Sequence, residues 1–471
     1  MRKRKLTAIA TATAMAATML TACGNVAQTA ETTTTDAGTQ TQVTTEAVPE
    51  AASVSTDELN GTNITFWHSM GGSGGDAINY LVDKFNSENE YGITVTAEYQ
   101  GSYDDALTKL KSAQLGNMGA DLVQVYEIGT RFMIDSGWIV PMQELIDADG
   151  WDVSKLEENI AAYYTIDNKL YSMPFNTSTP ILYYNKNILD KAGITEDNIP
   201  TSFDQIEAIG DQILNDGGAT TVFALGNYGW FFEQLICKQQ LNYVDGGNGR
   251  ESVATKVGFD SNGAALKIVN AWHSLNEKGF APNLGRGTSD AQADFCAGNA
   301  AFYTGSTASL KQILTDVNGA FEVGTAYFPA ASSEDKGGVS IGGASLWALN
   351  NNDAVKQKAT WEFVKFLVSP ESQAYWNVQT GYFPVTVDAY DEQVLKDNME
   401  TYPQFMTAVD QLHDSSAESQ GALLSVFSEA RDIVESEMEN MLNGIATPEE
   451  TVSAMTERIN SAIEDYNLLN Q

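Results

Sequence analysis

Between Ile64 and Tyr126 the apolar residues change period repeatedly, and this restricts the possible folds more than any other feature of the chain. Ile64-Thr65-Phe66-Trp67-His68 alternates in twos, the pattern of a strand. After the glycine-rich Gly71-Gly72-Ser73-Gly74-Gly75, residues Ile78, Leu81, Val82 and Phe85 recur at three and four, on one face of a helix. Ile93, Val95 and Ala97 return to period two. Ser102, with Asp105 three residues on, resembles a capping box opening a helix through Leu107 and Leu110. Leu122-Val123-Gln124-Val125-Tyr126 then reads as a buried strand. Strand, helix, strand, helix, strand predicts an α/β lobe with a mainly parallel sheet.

Later segments repeat this logic without repeating the sequence. Pro180-Ile181-Leu182-Tyr183-Tyr184-Asn185 predicts a strand leading to a helix that stops near Gly193. Val222 to Leu225 predicts another, followed after Gly226 and Gly229 by an aromatic-rich helix from Trp230. The last helix has a defined start: Thr447 as N-cap, Pro448 in the first turn and Glu450 three residues on. Its stripe of Val452, Met455, Ile459, Ile463 and Tyr466 belongs to a core. The part of the chain beyond residue 60, about 410 residues, exceeds the size at which one core keeps growing, so two lobes are expected. Eight Trp, 19 Tyr and 19 Phe supply apolar area for both, and rings for a cleft between them.

Residues 1–60 are of another kind. Arg2, Lys3, Arg4 and Lys5 precede a short alanine-rich apolar run that ends at Leu20-Thr21-Ala22-Cys23, the pattern of a bacterial lipoprotein signal. We expect residues 1–22 to be a signal peptide, Cys23 to carry lipid, and the protein to sit on the extracytoplasmic face of the cell membrane. Residues 23–60, rich in Thr, Ala, Ser, Gln and Glu, are expected to form a disordered tether, because they bury too little apolar surface to offset chain entropy.

The formal charge is −36, and it falls by four more without the basic residues of the signal. Nucleic acid is excluded as a partner, since phosphate backbones are bound by Lys and Arg displacing counterions. An anionic membrane is likewise repelled, which leaves anchoring to the lipid. Cys237 and Cys296 are either a disulfide or two buried thiols. The three histidines, His68, His273 and His413, lack metal-ligand spacing, and no nucleophile elbow, phosphate loop or C-x-x-C occurs. Neither a catalytic set nor a metal or cofactor site is expected.

Trp67-His68-Ser69-Met70, Gln124-Val125-Tyr126-Glu127-Ile128-Gly129, Pro174-Phe175-Asn176-Thr177-Ser178-Thr179-Pro180, Tyr183-Tyr184-Asn185-Lys186, Ile341-Gly342-Gly343-Ala344-Ser345-Leu346-Trp347 and Thr380-Gly381-Tyr382-Phe383-Pro384 follow one another along the chain. In that order they resemble the landmarks of the glycerol-3-phosphate-binding proteins of bacterial ABC importers, within extracellular solute-binding protein family 1. The resemblance runs from about residue 63 to 466. It implies a two-lobed α/β fold of the periplasmic-binding-protein type II, each lobe a mainly parallel sheet flanked by helices, with a hinge between them. The implied path places 61–180 in the first lobe, 181–300 in the second, 301–340 back in the first and 341–471 in the second. It also implies a monomer, not an enzyme, that captures glycerol 3-phosphate or a glycerophosphodiester such as glycerophosphocholine and delivers it to membrane permease subunits. The alternatives are a sugar- or oligosaccharide-binding protein of an ABC importer and an exported glycerophosphodiester hydrolase.

Carried over onto this chain, the ligand contacts implied by the resemblance fall on Tyr103, Glu127, Ser178, Ser306, Gly343, Tyr382 and Arg431. Arg431 supplies a fixed cation for a phosphate, the hydroxyls and the Gly343 amide supply directional bonds, and Glu127 accepts from glycerol hydroxyls. Read locally, each has another role: Arg431 a surface pair with Glu435, Glu127 a helix cap, Ser178 a turn. Where the family places a tryptophan against the ligand, this chain has Asn227 in Gly226-Asn227-Tyr228-Gly229-Trp230. Loss of that ring opens room for a bulkier diester, unless Tyr228 or Trp230 takes its place.

Overall fold

The computed structural model describes residues 54–114, 119–416 and 420–470. The expected signal peptide, the lipid on Cys23 and most of the tether lie outside the described residues. The tether was expected to run to residue 60 but ends earlier. Ser55 and Glu58 close a capping box over the turn Thr56–Leu59, and Leu59 is fully buried, so an apolar anchor fixes the chain there.

The chain enters through β1 (Asn63–His68), β2 (Thr94–Tyr99), β3 (Leu122–Tyr126) and β4 (Ile139–Val140). A small hairpin, β5 (Thr165–Ile166) with β6 (Lys169–Leu170), precedes β7 (Met173–Ser178). After Thr179 alone comes β8 (Pro180–Asn185), and then β9 (Thr221–Ala224), β10 (Ala300–Ser306), β11 (Val323–Tyr327) and β12 (Gly342–Leu349). The first sheet runs β2-β1-β3-β12-β4 with β7 also paired to β12; the second runs β11-β8-β10-β9.

These pairings give two α/β lobes but correct two expectations. The 301–340 stretch does not return to the first lobe: β10 and β11 both pair with β8 in the second sheet. The return comes at β12, which lies between β3 and β7, so the stretch after residue 341 is not all second lobe. Trp361, Phe363 and Trp376 pack with Phe66 and Leu346 beneath the first sheet, whereas the helix Gln404–Asp414 packs on β11 and the helices Phe427–Leu442 and Pro448–Leu469 rejoin the second lobe against Gly229–Lys238 and Ala264–Glu277. The sheets are also mixed rather than mainly parallel. β12 is antiparallel to all its neighbours, and β8 is antiparallel to both of its own.

Locally the sequence signals hold. Ile78, Leu81, Val82 and Phe85 are the buried face of the helix Gly72–Glu88. Ser102 and Asp105 exchange the two bonds of a capping box at the start of the helix Tyr103–Gln114 (3.1 and 3.2 Å). β3 is buried on both faces, against Leu107 and Leu110 on one side and Phe66 and Leu346 on the other, which accounts for its unbroken apolar run. The first two crossings between lobes are stitched together by buried Gln411. Its amide donates to Pro180 O (2.7 Å) and Thr179 Oγ1 (3.1 Å), and its carbonyl accepts from Phe328 N (2.6 Å). Cys237 and Cys296 are free thiols, each pushed up by burial, to about 12 and about 11.

Candidate functional site

The cleft is organised around Arg431, on the inner face of the helix Phe427–Leu442 and 7% exposed. That position is open to an arginine because the facing residue is Gly229: a Cβ there would lie 2.6 Å from Arg431 Cγ. The guanidinium stacks over Tyr228 at 5.5 Å. Its Nε and Nη2 donate to the two oxygens of Glu233 (2.8 Å each), and Nη2 also donates to Glu127 Oε1 (2.7 Å). Glu127 follows β3 in the first lobe, whereas Glu233 and Arg431 belong to the second, so the cluster is an ion pair across the lobes. Burial pushes the Glu127 carboxyl above its usual range against the pull of Arg431. Burial alone would lower Arg431, but Glu233 and Glu127 hold it well above the ordinary value, so the guanidinium stays charged. Glu435, expected as a surface partner of Arg431, instead accepts from Gly229 N (2.9 Å) at the start of the helix Gly229–Lys238.

On the Tyr228 side of Arg431 lies a cavity of 470 Å³. Tyr103, Tyr126 and Asp104 border it from the first lobe, and Tyr228, Asp432 and Glu435 from the second. That volume falls within the range of small-molecule sites, about 300 to 1,000 Å³. On the opposite side Glu127 and Glu233 border a void of only 20 Å³, room for little more than one water. The tyrosine-lined side is therefore the candidate solute site. Its wall carries three carboxylates against one guanidinium that is already neutralised. At the rim, Tyr126 OH donates to Asp104 Oδ1 (2.6 Å) and meets Ser428 Oγ from the other lobe.

A buried relay fixes the first-lobe wall. Ser69 N donates to Gln124 Oε1 (2.8 Å), Gln124 Nε2 to Asn176 Oδ1 (2.7 Å), and Asn176 Nδ2 to Tyr103 OH (2.8 Å). A further side-chain hydrogen bond joins Tyr103 to Tyr382, which stacks on Trp376. Of the expected contacts, Tyr103 and Arg431 line the cavity, whereas Glu127 lies behind Arg431 and Tyr382 behind Tyr103, neither on the cavity wall. Ser178 and Gly343 are adjacent through the β7–β12 pairing, in the floor of the crossing rather than on the cavity wall. Gly343 has φ +90°, and a Cβ there would run into Asn176 O. Ser306 is also at the crossing, its hydroxyl accepting from Ala308 N (3.2 Å) and its carbonyl from Tyr183 OH (2.7 Å).

Asn227 is not on the cavity wall. It is buried, its amide donating to Glu435 O (2.8 Å) and its backbone bonded to Gly285 and Gly287. The ring that Asn227 lacks is supplied by Tyr228, while Trp230 turns away to cover Gly342. The residues the sequence reading missed are Glu233, Gln124, Asn176 and Asp104. Only Glu233 had a usable signal: a lone acid after Trp230-Phe231-Phe232 in a buried helix must find a cation.

Two mixed α/β lobes around a solute-sized cleft, with a charged pair bridging them at its base, define a bilobed solute receptor. The chain belongs to the bacterial extracellular solute-binding proteins, whose family pattern it matches over residues 80–407. It is 31% identical over 422 residues to the sn-glycerol-3-phosphate-binding periplasmic protein UgpB of Escherichia coli K12, covering 86% of this chain and 93% of that one. It is likewise 31% identical over 413 residues to the protein of that name from Pectobacterium atrosepticum, covering 86% and 92%. Among solved structures it resembles UgpB of Mycobacterium tuberculosis in complex with glycerophosphocholine, with a TM-score of 0.72, 23% identity, and 86% and 99% coverage. It also resembles the cyclic α-maltosyl-1,6-maltose binding protein of Arthrobacter globiformis, with a TM-score of 0.70, 21% identity, and 86% and 99% coverage. At these identities the solved structures establish the fold alone.

Proposed function

We propose that this protein captures glycerol 3-phosphate or a glycerophosphodiester in the cleft between Tyr103 and Tyr228 and hands it to the permease of an ABC importer. The observation that carries the reading is the buried Arg431, held at the lobe interface beside Glu127 with an aromatic wall over it. A phosphoryl oxygen placed in the cavity meets that guanidinium, and glycerol hydroxyls meet tyrosine hydroxyls and carboxylates. The 31% identity to glycerol-3-phosphate-binding proteins over most of both chains supports the same solute class. The protein binds and releases without chemistry, as a monomer, anchored through lipid on Cys23 at the outer face of the membrane; Cys23→Ala tests the anchor by moving the protein from the membrane fraction to the medium or periplasm.

Calorimetric titration tests the solute. Arg431→Ala is expected to cost about 2 to 5 kcal/mol of affinity for the phosphate ligand, the range for truncating one member of a buried charge pair. Unchanged affinity in that variant would end the phosphate reading. A neutral saccharide is the second reading, favoured by one observation: both acids already satisfy Arg431, and three tyrosines line the cavity. Tight binding of a maltodextrin, with none of either phosphate ester, would establish it.

A further inference from the structure

We propose that Glu233 determines the charge of the ligand this cleft accepts, selecting singly charged phosphodiesters against doubly charged phosphomonoesters. The inference rests on the phosphate reading given above. An arginine that recognises phosphate usually offers the two-donor edge formed by its Nε and one Nη, whose fork matches two phosphoryl oxygens. Here Glu233 occupies that edge, with both contacts at 2.8 Å, and Glu127 takes the second donor of Nη2 at 2.7 Å. Among the described residues no partner is found for Nη1, so a ligand can claim one donor group at most without displacing a carboxylate.

The electrostatic balance points the same way. One guanidinium faces two carboxylates in direct contact, and Glu435, Asp432 and Asp104 border the cavity beyond it. A phosphomonoester carries close to two negative charges at neutral pH and a diester only one. Each additional ligand charge is therefore repelled by a site whose cation is already spent. Glu233 is the acid best placed to cause this, because it alone grips Arg431 through both oxygens. Glu127, by contrast, crosses from the other lobe and makes a single contact.

The test compares sn-glycerol 3-phosphate with its monomethyl phosphodiester, which differ by one charge and one methyl group, by calorimetric titration of the full-length protein. The wild type is expected to bind the diester at least about tenfold more tightly, and Glu233→Gln to shrink that ratio about tenfold by removing one negative charge at contact distance. Glu233→Asp, which keeps the charge, should retain the preference. A wild type that binds the monoester as tightly as the diester overturns the inference, and this measurement needs no variant to fold. A ratio unmoved by Glu233→Gln also overturns it, while leaving the phosphate reading intact. If neither ester binds the wild type, both the inference and the reading fall.

Discussion

The hydroxyl of Tyr163 donates to the backbone carbonyl of Glu127 across 3.2 Å, so the acid that contacts Arg431 is held from behind by a residue 36 positions further along the chain. Tyr163 is itself gripped from the second lobe. Arg250 lies over its ring at 5.0 Å and donates to its carbonyl (3.2 Å), while the same guanidinium takes the carbonyls of Gln420 and Gly421 (2.9 Å each). Removing the hydroxyl should loosen the Glu127 turn without altering the cleft surface. Tyr163→Phe is predicted to lose about 1 kcal/mol of stability, the usual worth of one buried hydrogen bond, and to weaken solute binding. Urea denaturation with a midpoint unchanged within error would remove Tyr163 from this role.

Gly343 and Gly137 both have positive φ, +90° and +68°, but only Gly343 is crowded. At Gly343 a Cβ meets the Asn176 carbonyl within the β7–β12 ladder, whereas at Gly137 nothing lies within 4 Å. Gly137→Ala should therefore cost about 1 kcal/mol from backbone conformation alone. Gly343→Ala should cost at least about 3 kcal/mol, because strands must also separate. Comparable denaturation midpoints for the two variants would contradict the close packing of β7 on β12.

His68 is buried at the end of β1, and burial depresses its imidazole to about 4 from an ordinary 6.5. Between those values the unfolded chain holds the proton and the folded one does not. Stability from this group is thus complete above pH 6.5 and is lost as pH falls toward 4, by up to about 3 kcal/mol. Burial raises Glu127 and Glu157, which act in the opposite direction, losing stability as pH rises through their folded values. The check is accordingly a difference: His68→Phe should flatten the pH dependence of its melting temperature between 6.5 and 4 relative to the wild type. Parallel curves would show that His68 does not titrate on unfolding.

The chain carries −36 formally, and three of its acids, Asp104, Asp432 and Glu435, stand on the cavity wall around a neutralised arginine. An anionic solute approaches against long-range repulsion. Its association rate, followed by stopped-flow tryptophan fluorescence, should rise with ionic strength as the Debye length shrinks from about 30 Å at 0.01 M to about 8 Å at 0.15 M. A rate that falls with added salt would reveal a positive entrance field.

The sequence by itself determined the local elements and the two-lobed α/β class. Periodicity located the buried face Ile78, Leu81, Val82 and Phe85, and the caps at Ser102 and Thr447 are contacts over three residues, which a linear reading can see. The order of family landmarks likewise pointed to Tyr103 and Arg431, which line the cavity. Tertiary structure alone decided which sheet takes β10, β11 and β12, because each pairs with strands roughly eighty to more than two hundred residues away. It also decided what Arg431 touches: Glu233 and Glu127 lie 198 and 304 positions from it, and no short-range pattern encodes a match at that separation. Tyr228, rather than Asn227, faces the cavity for the same reason, since a one-residue difference in direction is set by the packing of Gly229 against Arg431.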